Sequence, residues 1–340
     1  MPTRSTPAAP RIGLVLGGGG TAGHAYHTGV LAAMRQLTGW DARSAHVVVG
    51  TSAGSGVAAM LRGGVGAEAI LERILSLPTD PAGMARLREI SGRDGAGTPS
   101  WWFGPASPGL LGRELRRGCG ARPTRLALSM LPSGRLPTAV VGERHYELHG
   151  DRWPDEDTWI TAVALDNGHR TVFGRDDTDT PLGAAVEASC AIPSFFRPVV
   201  INGRRYVDGG MHSPTNADLL ADPDLGLDLV VVLSPMSSEP GDAFRSLLAP
   251  VRLWSHQVLR RELREIESYG IPTLALEPTA AEVRAMGANF MDPTRVLEIS
   301  LQAGAAALER LREPAFDDSV DILADAAAAT PPIVDVAYPD

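Results

Sequence analysis

His46-Val47-Val48-Val49-Gly50-Thr51-Ser52-Ala53-Gly54 is the stretch that decides how this chain is read. Three consecutive valines make a short apolar run of the kind found in a strand buried on both faces. The run breaks at Gly50, and residues 53–61 then read as a helix. G-x-S-x-G between a strand and a helix has the form of a nucleophile elbow, a serine on a strained turn. Gly50 and Gly54 keep the positions around it small, so that strand and helix can close in. A serine there sits at a helix N-terminus, where the dipole and free N–H groups favour developing negative charge. The same residues could serve as a plain helix start capped by Thr51 or Ser52. With 37 glycines in the chain, a bare match arises easily by chance. The flanking strand and helix favour the catalytic reading.

Toward the N-terminus, residues 12–16 form another short apolar run that opens into Gly17-Gly18-Gly19-Gly20-Thr21-Ala22-Gly23. A helix is expected over 24–37, where Val30, Leu31, Met34 and Leu37 recur at helical spacing. Strand, loop and helix, twice over, predict an α/β fold with a mostly parallel central sheet flanked by helices. Two functions compete for the glycine loop. Gly18, Gly20 and Gly23 fit the G-x-G-x-x-G dinucleotide fingerprint, which wants an acid at the end of the second strand, about 20 residues on. Asp41 precedes that strand, and the strand ends in a serine. An oxyanion hole, with consecutive glycine N–H groups facing a tetrahedral intermediate, is preferred. A glycine turn with packing duties only is the plainer alternative.

Residues 62–136 differ in texture, with glycine and proline clusters and short helical pieces around 67–77 and 110–117. They read as an irregular cap over the sheet. Trp101, Trp102 and Phe103 within it would line an acyl groove or touch a lipid surface, or simply pack the cap down. Strands are expected at 138–141, 159–165, 171–174 and 228–233, and a hairpin over 198–207. Helices are expected at 182–189, 244–268 and 294–312. Residues 1–10 read as a flexible leader and 314–340 as a loose acidic Ala/Pro tail. No repeat or composition break divides 11–313, so one domain carrying the cap at about 62–136 is the reading.

Composition removes several function classes. All 31 basic residues are Arg, which excludes a P-loop lysine, a Schiff-base lysine and a Ser–Lys dyad. The net charge of −9 is opposite to the basic footprint of a nucleic-acid binder. Two cysteines, Cys119 and Cys190, make neither a disulfide framework nor a four-thiolate zinc site. No metal-ligand spacing is present, so no metal or organic cofactor is expected. No apolar run approaches membrane-spanning length, and residues 1–10 lack the apolar region of a secretory signal. A cytoplasmic protein is the expectation, with transient contact at a membrane surface allowed. The oligomeric state stays open.

A serine nucleophile needs a base. Of eight histidines, His256 falls in a helix as a packing or surface residue, and His24 and His27 suit holding the glycine loop. His212 stays open as the base of a conventional Ser–His–Asp site. Asp208, in Asp208-Gly209-Gly210, would taken alone be an ordinary turn.

Taken together and in order, the glycine loop, Gly50-Thr51-Ser52-Ala53-Gly54 and Asp208-Gly209-Gly210 resemble the patatin-like phospholipase family. His27-Thr28-Gly29-Val30-Leu31, Ala188-Ser189-Cys190-Ala191-Ile192-Pro193 and Asp208 through Asn216 extend the resemblance, which covers about residues 11–235. It implies a three-layer patatin-like fold with a Ser–Asp dyad and no catalytic histidine. Ser52 would be the nucleophile, Asp208 its base, and Gly18, Gly19 and Gly20 the oxyanion hole, with Gly23, Gly50, Gly54, Gly209 and Gly210 completing the motifs. Many family members carry Arg or Lys where this chain has Ala22, so no charge assists the loop there. The implied activity is that of a serine lipid acyl hydrolase of phospholipase A or esterase type, acting on a lipid or ester substrate. Acyl transfer to an acceptor other than water stays open within it. A nucleotide-binding protein and a non-catalytic lipid- or partner-binding family member are the alternatives.

Overall fold

The computed structural model describes residues 9–76, 107–116, 130–131, 134, 136–243 and 248–337. In chain order the first elements are β1 (Ile12–Leu16), α1 (Gly20–Thr38), β2 (Val47–Thr51), α2 (Ala53–Arg62) and α3 (Ala67–Leu75). α4 (Pro108–Arg116), α5 (Ala139–His149), β3 (Asp157–Ala164), β4 (Arg170–Phe173) and α6 (Leu182–Ser189) follow. The hairpin β5 (Val199–Ile201) and β6 (Arg204–Asp208) precedes β7 (Leu229–Leu233), the single turn α7 (Pro240–Ala243) and α8 (Ala249–Ser268). β8 (Thr273–Leu276), α9 (Ala280–Met286), α10 (Val296–Arg310) and α11 (Asp317–Ala329) close the described chain.

Among the described residues eight strands join one sheet in the order β5-β6-β3-β2-β1-β7-β8, with β4 paired to β3. Its centre is parallel, as the sequence predicts: β1 pairs with β2 on one side and β7 on the other, and β2–β3 and β7–β8 are parallel too. Pairings of β3 with β4, β3 with β6 and β5 with β6 are antiparallel. Successive side chains of a strand face opposite ways, so each apolar run feeds two cores. Leu14, Leu16, Val48, Val231 and Leu233 pack under α1, α2 and α10. Val15, Val47, Val49, Val230 and Val232 pack against Leu259, Leu263 and Ile266 of α8. The result is three layers, helix on sheet on helix. Chain order reverses between β1 and β7, so the C-terminal end of β1 is the usual site location in such a sheet.

β3 serves two partners along one edge. The Ala164 N–H donates to the His169 carbonyl, whereas the Leu165 N–H donates to the Arg205 carbonyl. Alternate residues of a strand address opposite edges, so β4 lies on one edge and β6 on the other. β2 overlaps β4 along β3 at residues 160 and 161 and therefore shares the edge of β6.

Two expectations are corrected. Residues 138–141 open the helix α5 and form no strand; a four-residue apolar run does not distinguish the two. Gly142 of that helix lets it dock closely on Glu187 of α6. The tail is structured: α11 buries Leu323 and Ala326 against the main core. Beyond it Asp335 pairs with Arg43 at 2.7 Å, and the Val336 N–H donates to the Gly64 carbonyl at 3.1 Å. Leu323 and Ala326 are one helical turn apart, a stripe too weak to stand out within an alanine run. β8, four residues long, is an additional strand at the sheet edge. Within the expected cap, α3 and α4 fall where helices were read, while Trp101, Trp102 and Phe103 lie outside the described residues, as do residues 1–8.

Candidate active site

Ser52 occupies the turn between β2 and α2 with φ 51 and ψ −121. For a residue with a Cβ this conformation costs on the order of 1–3 kcal/mol and persists only where the surroundings over-determine it. They do so here. The Ser52 N–H donates to Ser189 Oγ at 2.8 Å, from the C-terminal end of α6. The Ser52 carbonyl accepts from the Ser55 N–H at 2.8 Å, from Ser55 Oγ at 2.6 Å and from Cys190 Sγ at 3.3 Å. Both polar groups of the strained peptide are therefore held by side chains or backbone outside the turn. At Gly54 no side chain is possible, because a Cβ would run into the Leu16 carbonyl of β1.

Asp208 ends β6, and its carboxylate Oδ1 accepts the Gly210 N–H at 2.7 Å. The same carboxylate faces the Ser52 hydroxyl. Burial pushes the Asp208 carboxyl up to about 6, against the opposing pull of the Ser52 hydroxyl and the Gly210 N–H. Ser52 and Asp208 are each only 5% exposed. Gly209 must lack a side chain because its Cα lies against the Thr161 carbonyl of β3.

The glycine loop runs beside the serine: a Cβ on Gly18 would stand 3.3 Å from the Ser52 Cβ. The loop is anchored by His27, whose Nε2 bonds the Gly17 carbonyl at 2.7 Å. Burial drives the His27 imidazole down to about 3, so it is neutral and serves as the loop holder expected of it. The expected trio of oxyanion donors needs one correction. The Gly18 N–H already donates to the Pro214 carbonyl at 2.8 Å and cannot also face an oxyanion. The Gly19 and Gly20 N–H groups have no acceptor among the described residues.

Asp41, the weak point of the dinucleotide reading, caps the 3-10 turn Ala42–Ser44 and pairs with Arg43 at 2.6 Å and Arg35 at 3.1 Å. Its carboxylate is occupied by the protein. His256 pairs with Glu277 at 2.9 Å, as a residue of the outer helix layer. The described residues contain no group of three His, Cys, Asp or Glu placed to hold a metal ion. No described helix is long and apolar enough to cross a membrane.

Sequence reasoning missed the scaffold around these groups. Ser189 and Cys190 appeared only as motif letters, yet they hold the Ser52 peptide. Thr51 Oγ1 lies 2.9 Å from Thr161 Oγ1 and donates to the Thr215 carbonyl at 3.3 Å. The Asn216 amide donates to Thr51 Oγ1 at 3.0 Å and to Thr161 Oγ1 at 3.3 Å. A threonine ending one buried apolar strand and another within the next, Thr51 and Thr161, were the available signal, since a buried hydroxyl needs a partner.

Among known proteins, uncharacterized NTE family proteins of Mycobacterium tuberculosis and Mycobacterium bovis are 29% identical to this chain over 238 residues. The match takes in 69% of this chain and 52% of theirs, so the chain spans about half the length of the curated relatives it matches. Among solved structures, VipD from Legionella pneumophila is similar at 14% identity and TM-score 0.38, over 90% of this chain and 68% of that one. The type III effector protein ExoU is similar at 20% identity and TM-score 0.35, over 90% of this chain and 54% of that one. The family model for the patatin-like phospholipases matches residues 14–221, a span that includes the glycine loop, Ser52 and Asp208. By that match the chain belongs to the patatin-like phospholipase family.

Proposed function

We propose that this chain is a serine lipid acyl hydrolase that cleaves carboxylic esters through an acyl-enzyme on Ser52, with Asp208 as the base. The observation that carries the reading is the placement by strand register of Ser52 against a buried Asp208 whose carboxyl is raised to about 6. An ordinary aspartate, with a pKa near 3.9, is a poor proton acceptor. Burial brings this one toward the working pH, where a general base is most effective.

In acylation, Asp208 takes the hydroxyl proton as Ser52 Oγ forms a bond to the ester carbonyl carbon. The carbonyl oxygen becomes an oxyanion, stabilised by the Gly19 and Gly20 N–H groups and the N-terminus of α2. Each such donor is typically worth about 3 kcal/mol. Collapse of the intermediate breaks the bond to the alcohol, which leaves with the proton from Asp208. In deacylation Asp208 accepts a proton from water as the water oxygen attacks the acyl carbon. The fatty acid departs, and the proton returns to Ser52. The strained turn sets the Ser52 side chain at the head of β2, beside the glycine loop.

A fluorophosphonate probe read by intact mass tests this. Wild type should gain one adduct, Ser52→Ala none, and Asp208→Asn only a slow trace. Wild type that folds and stays unlabelled, while hydrolysing no short-chain ester, would remove the proposal.

A further inference from the structure

We infer that Glu262, on α8, is a positioning residue for the Ser52 centre, acting through the loop 213–217 on both the glycine loop and the end of β2. The inference rests on the reading of Ser52 and Asp208 proposed above, and it places part of their support outside residues 14–221.

Glu262 is 5% exposed, and a carboxylate so buried must be hydrogen-bonded. Its Oε2 accepts from Thr215 Oγ1 and from the Ala217 N–H at 3.0 Å. Ser213 Oγ braces the same turn, accepting from the Thr215 N–H at 3.2 Å and the Asn216 N–H at 3.0 Å. Both donors to Glu262 belong to one short loop, so a single side chain gathers residues 215 and 217. Burial and the neighbouring Asp218 push the Glu262 carboxyl up, to about 7, against the pull of those donors.

That loop touches the site at two points. The Pro214 carbonyl takes the Gly18 N–H at 2.8 Å, which sets the position of Gly19, the first free oxyanion donor. The Thr215 carbonyl takes the Thr51 hydroxyl at 3.3 Å, and Thr51 is bonded to Ser52. Asn216 between them stands in the left-handed region at φ 55, with its amide on Thr51 and Thr161. From the other side Arg170 of β4 pairs with Asp218 at 2.6 Å and with Asn216 Oδ1 at 3.1 Å. The loop is gripped from both faces, and Glu262 is the grip on the core side. Without it, two buried donors lose their acceptor and the loop must move to find others. Displacement of about 1 Å at a catalytic constellation can cost a hundredfold in rate.

The experiment compares Glu262→Ala, Glu262→Gln and Leu263→Ala with wild type, using short-ester kinetics per serine titrated with fluorophosphonate. Hydrogen exchange of peptides covering 17–23 is followed in parallel. Leu263 is the buried neighbour on the same helix and serves as the control for lost stability. Glu262→Ala should lower kcat per titrated serine by about tenfold to a hundredfold with KM within about twofold. Glu262→Gln, which keeps an acceptor oxygen, should recover most of it. Leu263→Ala should lower the melting temperature and leave kcat per titrated serine unchanged.

Exchange over 17–23 should rise about tenfold or more in Glu262→Ala, with 229–233 unaffected. Wild-type kcat per serine and wild-type exchange in Glu262→Ala would overturn the inference. Should that variant fail to fold, Thr215→Val, which removes one donor from the other side, must shift both readouts in the same direction, or the inference falls. A wild type without hydrolase activity would refute the proposed function, and the exchange result alone would then judge Glu262.

Discussion

Thr51 and Asp208 stand at consecutive positions along one edge of β3: Thr51 pairs with Thr161, and Asp208 pairs with Ala162. β2 runs parallel to β3 and β6 antiparallel to it, so the two strands run toward each other and stop end to end. The residue after Thr51 is Ser52. Ser52 and Asp208 are thus set against each other by strand register, with no long flexible side chain spanning the gap.

The rate of Ser52 acylation should follow the ionised fraction of Asp208. With the carboxyl at about 6, labelling should be flat above pH 7 and fall tenfold per pH unit well below 6. Fluorophosphonate labelling rates between pH 4.5 and 8.5 check this. A break near pH 4 instead would mean that Asp208 is solvated in the working protein.

Asp208→Asn should be more stable than wild type at pH 8. The folded-state carboxyl is raised above its ordinary value, so the fold binds the proton better than the unfolded chain does. Keeping the group charged above the folded value costs up to about 3 kcal/mol, and the cost disappears below pH 4. Urea unfolding of both proteins at pH 8 and pH 4 should show a gain at the first and none at the second.

Ser189→Ala should slow labelling of Ser52 without touching its hydroxyl. The substitution leaves the Ser52 N–H buried without its acceptor, a loss of about 1–3 kcal/mol. Cys190→Ala removes only a weak sulfur donor and should cost less. Melting temperatures with labelling rates separate the two, and equal effects would contradict the assignment.

Gly54→Ala should destabilise the protein and abolish labelling, because the new Cβ meets the Leu16 carbonyl. Overpacking of this kind typically costs about 1–3 kcal/mol. Gly241→Ala, where a Cβ meets nothing within 4 Å, is the control and should be neutral or mildly stabilising in a thermal melt.

Leu323→Ala tests whether the tail helix belongs to the fold. Leu323 is fully buried, and truncating a buried leucine typically costs about 2–5 kcal/mol. Chemical denaturation should show that loss, and a change below about 0.5 kcal/mol would mean that α11 is a detachable appendage.

Local pattern carried much of this protein. The valine run before Gly50, the glycine loop and the 182–189 helix were legible because each is decided by neighbours a few residues away. The readings that failed turned on distant contacts. Residues 138–141 form a helix because α5 docks on α6 at Gly142, and the tail folds because Leu323 finds the core. Gly18 looked equivalent to Gly19 and Gly20 until Pro214, from the far end of the domain, engaged its N–H.

By itself the sequence determined the strand–elbow–helix unit, the parallel centre of the sheet and a serine with small neighbours, all set by short-range sterics and apolar periodicity. Which acid meets that serine was decided by tertiary structure alone, because the encounter depends on two strands sharing an edge of β3. So was the proton affinity of that acid, because the rise to about 6 comes from burial, and burial is a property of the assembled layers.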